Sequence, residues 1–150
     1  MAGMWSLAGI ANHFGRIAAN FDVGMHGGLK RGAIIVRDEA RGMLGTYQAG
    51  WPSLKDETIA RKAKGDTPLL ETGEMRDSIT YEVNFLSARV YSDDPKAAFH
   101  ELGTSKMPPR PFLGPAAIRK EAEVAHEIGR QAVSLISGNG DAVTIAPGIR

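Results

Sequence analysis

The sequence predicts an α+β protein in which a long N-terminal helical segment and a C-terminal helix pack on a small antiparallel sheet. Three observations predict this class. Apolar residues recur in steps of three and four near both ends of the chain, which is typical of amphipathic helices. From Ile79 onward they alternate with polar residues, as in a half-buried strand. The 150 residues suffice for one core, so residues 1–150 are interpreted as a single domain.

Residues 1–22 form the first predicted helix. No basic residue precedes its apolar stretch and polar residues interrupt it, so we expect neither a signal peptide nor a membrane anchor. We therefore expect the protein to be intracellular when it is made. Two roles stay open: a helix that docks on a neighbouring subunit, or one that packs on its own core. The apolar face consists of Leu7, Ala11, Phe14, Ala18 and Phe21.

A glycine-rich stretch, residues 24–28, is predicted to break this helix, because each glycine costs about 1 kcal/mol in a helix interior. A second amphipathic helix follows over residues 29–47. Ser53 and Asp56 match a capping box that opens a short helix from Leu54 to about Lys64. Thr72 is predicted to cap one more helical turn.

The strand pattern runs from Ile79 to Phe85, and a tight turn leads to a second strand, Ala88 to Tyr91, which predicts a hairpin. The aromatic residues of this region are expected in the core or in cross-strand pairs. Asp94 followed by Pro95 predicts the start of a helix that Gly103 ends.

Three prolines keep residues 104–113 out of regular structure. The last helix is predicted from Gly114-Pro115 to Gly138, and the tail, residues 138–150, offers a further edge strand over residues 142–145. The side chains expected to face inward from this helix are Ile118, Ala122, Ala125, Ile128, Ala132 and Leu135.

Composition and motifs argue against cysteine-based catalysis and against a zinc-protease site. The formal net charge is +1, and without cysteine the chain has no thiolate ligand or nucleophile. His100-Glu101 begins like a zinc-protease motif, but Thr104 stands where the second histidine belongs. We therefore expect a protein that is not an enzyme and that uses no cofactor or metal.

An ordered set of short motifs carries a resemblance to a known family. The set contains Trp51-Pro52-Ser53-Leu54, Thr58, Lys62, Pro68-Leu69-Leu70, Thr72-Gly73 and Arg76-Asp77-Ser78-Ile79, then residues 97–104 (AAFHELGT), 109–113 (PRPFL) and 115–116 (PA). In this order it resembles the tail-completion or neck protein family of long-tailed bacteriophages, over about residues 29–136. The family's alanine-rich helix usually begins with tyrosine, and Ala97 or Ala98 stands there in this chain.

The resemblance implies a structural virion protein of the neck, which is in the host cytoplasm during assembly. Its subunits would form a homo-oligomeric ring, with six copies expected, that joins the tail terminator or tail-tube proteins to the head-closure or adaptor proteins. DNA would pass through the lumen without specific binding. The subunit and partner contacts are expected to involve Trp51, Leu54, Leu69, Thr72, Arg76, Glu101, Thr104, Arg110 and Phe112.

Two of these assignments keep alternatives open. Arg76 and Glu101 are suited to bond each other, to bond across a subunit boundary, or to form ordinary surface pairs. Phe112, in a stiff proline-rich loop, is either a rigid anchor for a neighbour or a plug over the core.

Other functions remain as alternatives. A tail terminator or a head-closing stopper keeps the same class of protein. A small metal-dependent hydrolase would use Asp94, His100 and Glu101. A DNA-binding accessory protein would use Lys30, Arg31 and Arg37.

Overall fold

The structure is a computed structural model that describes residues 6–137, and it confirms the predicted α+β class. None of the helices in this range has a stretch apolar and long enough to span a bilayer. The tail, with the edge strand proposed for residues 142–145, lies outside the described range. In chain order the elements are α1 (Leu7–Met43), α2 (Asp56–Arg61), α3 (Glu74–Asp77), β1 (Ile79–Val83), β2 (Ala88–Ser92), α4 (Pro95–Leu102) and α5 (Leu113–Ser137).

The predicted helix break at residues 24–28 is wrong, because α1 is one helix of 37 residues. Its N-terminus is capped by Ser6, whose hydroxyl oxygen accepts the backbone N–H of Gly9 at 3.1 Å. Three buried glycines, spaced four apart, lie on the face of α1 that packs against α5. There they permit a close helix–helix approach, which outweighs their low helix propensity.

The glycine contacts also show that α1 and α5 run antiparallel, because their partners descend along α5 as the glycine numbers rise. A methyl group added to any of the three would press on α5. An ideal Cβ would lie 2.4 Å from Leu135 at Gly24, 3.2 Å from Gln131 at Gly28 and 2.9 Å from Val124 at Gly32.

The inward face predicted for the last helix is correct only in its second half. Ile128, Ala132 and Leu135 are half-buried, but Ile118 is 75% exposed. Ala122 and Ala125 are exposed as well. The helix carries apolar residues on two opposite sides, and the side that meets α1 includes polar residues. That side is formed by Ala116, Lys120, Val124, Glu127, Gln131 and Leu135.

The hairpin is confirmed as an antiparallel pair in which Tyr81 lies opposite Val90. Strand β1 ends at Val83, two residues earlier than predicted, because the backbone turns at Asn84, whose N–H donates to the carbonyl oxygen of Ser87 at 2.8 Å. Phe85 is therefore an exposed residue at the tip of the hairpin, and its predicted place in the core or in a cross-strand pair is wrong.

Arg41, on α1, connects the hairpin to the long helix. Its guanidinium donates to the carbonyl oxygen of Ile79 at 2.7 Å and to that of Asp77 at 3.1 Å. These bonds hold the start of β1 above the core, which contains Ala40, Met43, Leu44, Met75, Ile79, Ala97, Phe112 and Ala116.

The short helices follow the capping predictions at α4, only in part at α3, and not at α2. α2 begins at Asp56 and has Lys55 at its N-cap, without a side-chain cap bond, so the Ser53 capping box is wrong. The backbone carbonyl of Ser53 instead accepts a bond from Arg110. At α3 the N-cap residue is Gly73, with a φ of 97°, but the Thr72 hydroxyl oxygen does accept the N–H of Glu74 at 3.3 Å.

At α4 the local signals are confirmed. The Asp94 side chain accepts the N–H of Lys96 at 2.9 Å, Pro95 is the first helical residue, and Gly103 ends the helix with a φ of 75°.

Candidate assembly site

The start of α5 is held by a carboxylate from another helix. Glu101, near the end of α4, accepts the backbone N–H groups of Phe112 at 2.8 Å, Leu113 at 3.0 Å and Gly114 at 2.8 Å. These N–H groups have no acceptor within the helix, and a negative charge is favoured at a helix N-terminus. Glu101 therefore caps α5 across the proline-rich loop.

The same loop is attached to the segment around Trp51. Arg110 is only 7% exposed, and its guanidinium donates to the carbonyl oxygen of Pro52 at 2.9 Å and to that of Ser53 at 3.4 Å. In the reverse direction the indole N–H of Trp51 donates to the carbonyl oxygen of Pro111 at 3.2 Å. Two chain segments about sixty residues apart are thus joined by reciprocal hydrogen bonds.

Phe112 lies beneath these bonds and is fully buried, with 0% of its surface exposed. Of the two roles left open by the sequence, the structure shows the core plug. A side chain without exposed surface offers nothing to a neighbour, so the anchor role is wrong for this conformation. The bonds made by Glu101 and Arg110 on either side of it fix the loop with this ring turned inward. We call Trp51, Glu101, Arg110 and Phe112 the loop clamp.

The other residues predicted at the site do not join the loop clamp. Leu69 packs against the edge of the core and has a positive φ of 58°. Leu54 is half-buried, and its backbone N–H donates to the Tyr47 hydroxyl at 3.0 Å.

Three polar residues of the predicted set make local bonds. Arg76 forms an ion pair with Asp77 at 3.0 Å, and the described residues contain no ion pair between Arg76 and Glu101. Thr104 exchanges backbone hydrogen bonds with Met107 at 2.8 and 3.3 Å. Thr72 bonds to the start of α3, as described above.

His100 also lies in this region. The sequence motifs suggest it only as a candidate metal ligand. Its backbone carbonyl accepts the N–H of Arg110 at 2.7 Å, and its buried Nδ1 makes no hydrogen bond to any described residue. Burial, and next the positive charge of Arg110, lower the pKa of His100 below 6.5, while Asp94 acts in the opposite direction. The imidazole is therefore neutral near pH 7.

Several residues of the two alternative functions, the metal-dependent hydrolase and the DNA-binding protein, make other contacts in the structure. Both carboxylate oxygens of Glu101 bind backbone N–H groups, and residues 6–137 contain no group of three or more histidines and carboxylates arranged to hold a metal ion. Arg31 pairs with Glu127 at 3.1 Å on the α1–α5 contact, and Arg37 pairs with Asp38 at 2.7 Å.

Large apolar side chains are exposed at Phe99 and Leu102 on α4, and at three further places. One is the part of α1 that precedes Gly24, where Leu7 is 85% and Phe14 is 64% exposed. The second is the tip of the hairpin, with Phe85 and Leu86, and the third is the side of α5 that faces away from α1. Contiguous apolar surface of this kind marks interaction sites more often than single exposed residues do.

Sequence reasoning missed two features, and only the first had a visible signal. The spacing of four between Gly24, Gly28 and Gly32 places them on one helix face, a pattern of close packing rather than of a break. The Trp51–Pro111 and Arg110–Pro52 bonds had no local signal, although the motif set included all four residues.

No family model, no curated protein and no solved structure matches the chain.

Proposed function

We propose that the chain is a structural virion protein of a phage neck, whose copies form a ring that joins the tail to the head-closing proteins and leaves a channel for DNA. One observation carries the proposal. Motifs that resemble the neck family, and that lie far apart in sequence, meet in the loop clamp: Trp51 and Pro52 contact Pro111 and Arg110, and Glu101 caps the helix that follows them.

The exposed apolar surfaces give independent support. A subunit of a ring needs two different patches, one for each neighbour, and further surface for the proteins above and below it. Leu7 and Phe14 on α1, Phe85 on the hairpin and Ile118 on α5 are all more than half exposed, on three separate elements. Such surfaces are typical of a protein that assembles with partners.

The near balance of charge fits a channel through which DNA passes. The whole chain has 18 basic and 17 acidic residues. A strongly basic lumen would hold the phosphates of the DNA through counterion release. Arg31 and Arg37, which would otherwise offer a basic patch, are paired with Glu127 and Asp38.

The test is a phage in which the gene for this chain is inactivated. We expect filled heads and finished tails to accumulate separately, and the wild-type gene supplied from a plasmid to restore joined particles. Mass spectrometry of purified particles should find the chain at the copy number of one ring. Infectious, normally joined particles that lack the chain would overturn the proposal, and so would tails of irregular length, which would make it a terminator.

A further inference from the structure

The N-terminal part of α1 extends past the end of α5. Leu135 contacts Gly24, and α5 ends two residues later, at Ser137. The preceding seventeen residues, Leu7–Val23, which we call the arm, span about 25 Å at 1.5 Å per residue. All of their large apolar side chains except Val23 lie on one face at helical spacing: Leu7, Ile10, Phe14, Ile17 and Phe21.

A second apolar face of nearly the same length lies on α5, on the side opposite to α1. We call it the outer stripe. It runs over about 27 Å, from Ile118 to Ile136, and all of its residues are exposed. Its members are Ile118, Ala122, Ala125, Gly129, Val133 and Ile136.

The two faces also match in shape. The centre of the outer stripe is made of small residues, and a Cβ built at Gly129 meets nothing within 4 Å. Larger side chains, Ile118 and Ile136, stand at its two ends. The arm has its large Phe14 near the middle, 64% exposed, where a shallow groove would receive it. Small residues at a helix contact permit the short interaxial distances of ridges-into-grooves packing.

Charge does not oppose this contact. The arm carries only Arg16 and Asp22, one of each sign. Along the edges of the outer stripe Glu121 lies on one side and Arg119 and Arg130 on the other, so the rim has both signs as well. A mixed rim around an apolar centre is the usual composition of a protein interface.

We propose that the arm of one copy of this chain packs along the outer stripe of α5 in the next copy. The inference rests on the proposed function, because it names the contact by which the ring closes. Since arm and stripe are different surfaces of one subunit, the contact is heterologous. Repeated with a rotation that closes on itself, such a contact yields a ring, whereas any other rotation yields an open filament.

The absence of cysteine from the chain makes the contact directly testable by disulfide formation. Phe14→Cys lies near the middle of the arm and Ala125→Cys near the middle of the stripe, so the two thiols meet whether the helices run parallel or antiparallel. The two variants, one enlarged by a tag, are mixed at high concentration and oxidised. A disulfide requires Cα atoms about 4.4–6.8 Å apart, so only a close contact gives the bond.

We expect the pair Phe14→Cys and Ala125→Cys to form a mixed dimer about tenfold faster than the control pair Phe14→Cys and Glu57→Cys. The reason is that a preformed contact raises the effective concentration of the two thiols. Glu57 is exposed on α2, which is not part of the stripe. Adding Gly129→Glu to the Ala125→Cys variant should reduce the rate to that of the control. Circular dichroism of each variant confirms that α1 and α5 are still formed.

Three results would overturn the inference. One is a mixed dimer no faster than the control pair. The second is an equally fast dimer from Phe14→Cys alone, which would pair two arms. The third is a bond within one chain between Phe14→Cys and Val143→Cys, which would assign the arm to the chain's own tail. If the disulfide does not form but virions require the chain, the arm contact is wrong and the neck function stands. If the disulfide forms but virions lack the chain, the neck function is wrong and only the contact stands.

Discussion

The carboxylate of Glu101, on α4, lies 2.8 Å from the backbone nitrogen of Gly114 in the first turn of α5. The glutamate thus caps a helix that begins twelve residues further along the chain, beyond the proline-rich loop. Its two oxygens satisfy three N–H groups that would otherwise lack acceptors. These bonds fix the first turn of α5 relative to α4.

Replacement of Glu101 by alanine should lower the free energy of unfolding by about 1–3 kcal/mol, because helix N-terminal N–H groups lose both their acceptor and a favourable charge. Glu101→Gln keeps one acceptor oxygen, so its loss should be smaller. Urea unfolding followed by circular dichroism measures both. The control is Glu121→Ala, an exposed glutamate on α5, the helix that Glu101 caps, with an expected change within about 0.5 kcal/mol. Equal stability of the two alanine variants would contradict the capping role.

The glycine face of α1 leads to a second prediction. Gly28→Val should destabilise the chain by about 1–3 kcal/mol, since overpacking a close contact forces the helices apart. A Cβ at Gly28 would already lie 3.2 Å from Gln131 and 3.5 Å from the backbone of Ile128. Thermal unfolding and the m-value in urea are the measurements.

Gly42 is the matched control on the same helix, because a Cβ there meets nothing within 4 Å. Gly42→Ala should therefore raise the free energy of unfolding by up to about 1 kcal/mol through helix propensity alone. A Gly28→Val variant as stable as the wild type would show that α1 and α5 are not held by close contact.

The parts of the fold that the sequence predicts well are those with a local cause. The alternation after Ile79 and the Asp94-Pro95 pair depend on neighbours within a few residues, and both are confirmed. The predicted break at residues 24–28 is wrong because helix propensity, about 1 kcal/mol per glycine, is outweighed by packing against α5.

The face of α5 could not be assigned from periodicity. Two apolar stripes run along this helix, and the pattern shows only that they exist, not which of them meets α1. The side that packs includes Gln131, 5% exposed, whose side-chain oxygen accepts a bond from Arg31. A buried polar residue with a distant partner has no signature in local sequence. The predicted inward face therefore begins on the exposed side, at Ile118, and crosses to the half-buried side at Ile128.

The candidate site shows the same limit. The motif set pointed to Trp51, Arg110 and Glu101, but their partners are backbone atoms of distant segments. Side chains that bind backbone carbonyls or N–H groups leave no complementary residue type in the sequence. A resemblance therefore identifies such residues without showing whether they act within the subunit or between subunits.

A third prediction concerns the loop clamp. Arg110→Lys should lower the free energy of unfolding by about 1–3 kcal/mol, because an ammonium group cannot reproduce the planar fork that binds two carbonyl oxygens. One of these oxygens would then lose its donor from residue 110. Trp51→Phe should cost about 1 kcal/mol for the lost bond to Pro111. The double variant should lose less than the sum, since both bonds hold the same two segments together.

Arg61→Lys, on the exposed side of α2, provides the control for the change of arginine to lysine, with an expected effect within about 0.5 kcal/mol. Strictly additive losses in the double variant would mean that the two bonds act independently, contrary to the description of one clamp.

The fourth prediction is a dependence of stability on pH that His100 causes. Burial, and next the charge of Arg110, lower the pKa of this imidazole in the folded chain below its ordinary value of 6.5. At this site the folded chain therefore binds fewer protons than the unfolded chain, so the free energy of unfolding rises with pH. Stability should be highest above about pH 6.5 and should fall as the pH drops through the lower folded-state pKa.

Urea unfolding at a series of pH values between about 7 and about 5 measures this dependence. His100→Gln removes the titrating group and should flatten the curve, whatever its effect on stability at pH 7. His126→Gln, at an exposed position on α5, should keep the slope of the wild type. A slope that His100→Gln leaves unchanged would show that the acid sensitivity comes from other groups, and a wild-type chain that gains stability on acidification over this range would contradict the lowered pKa of His100.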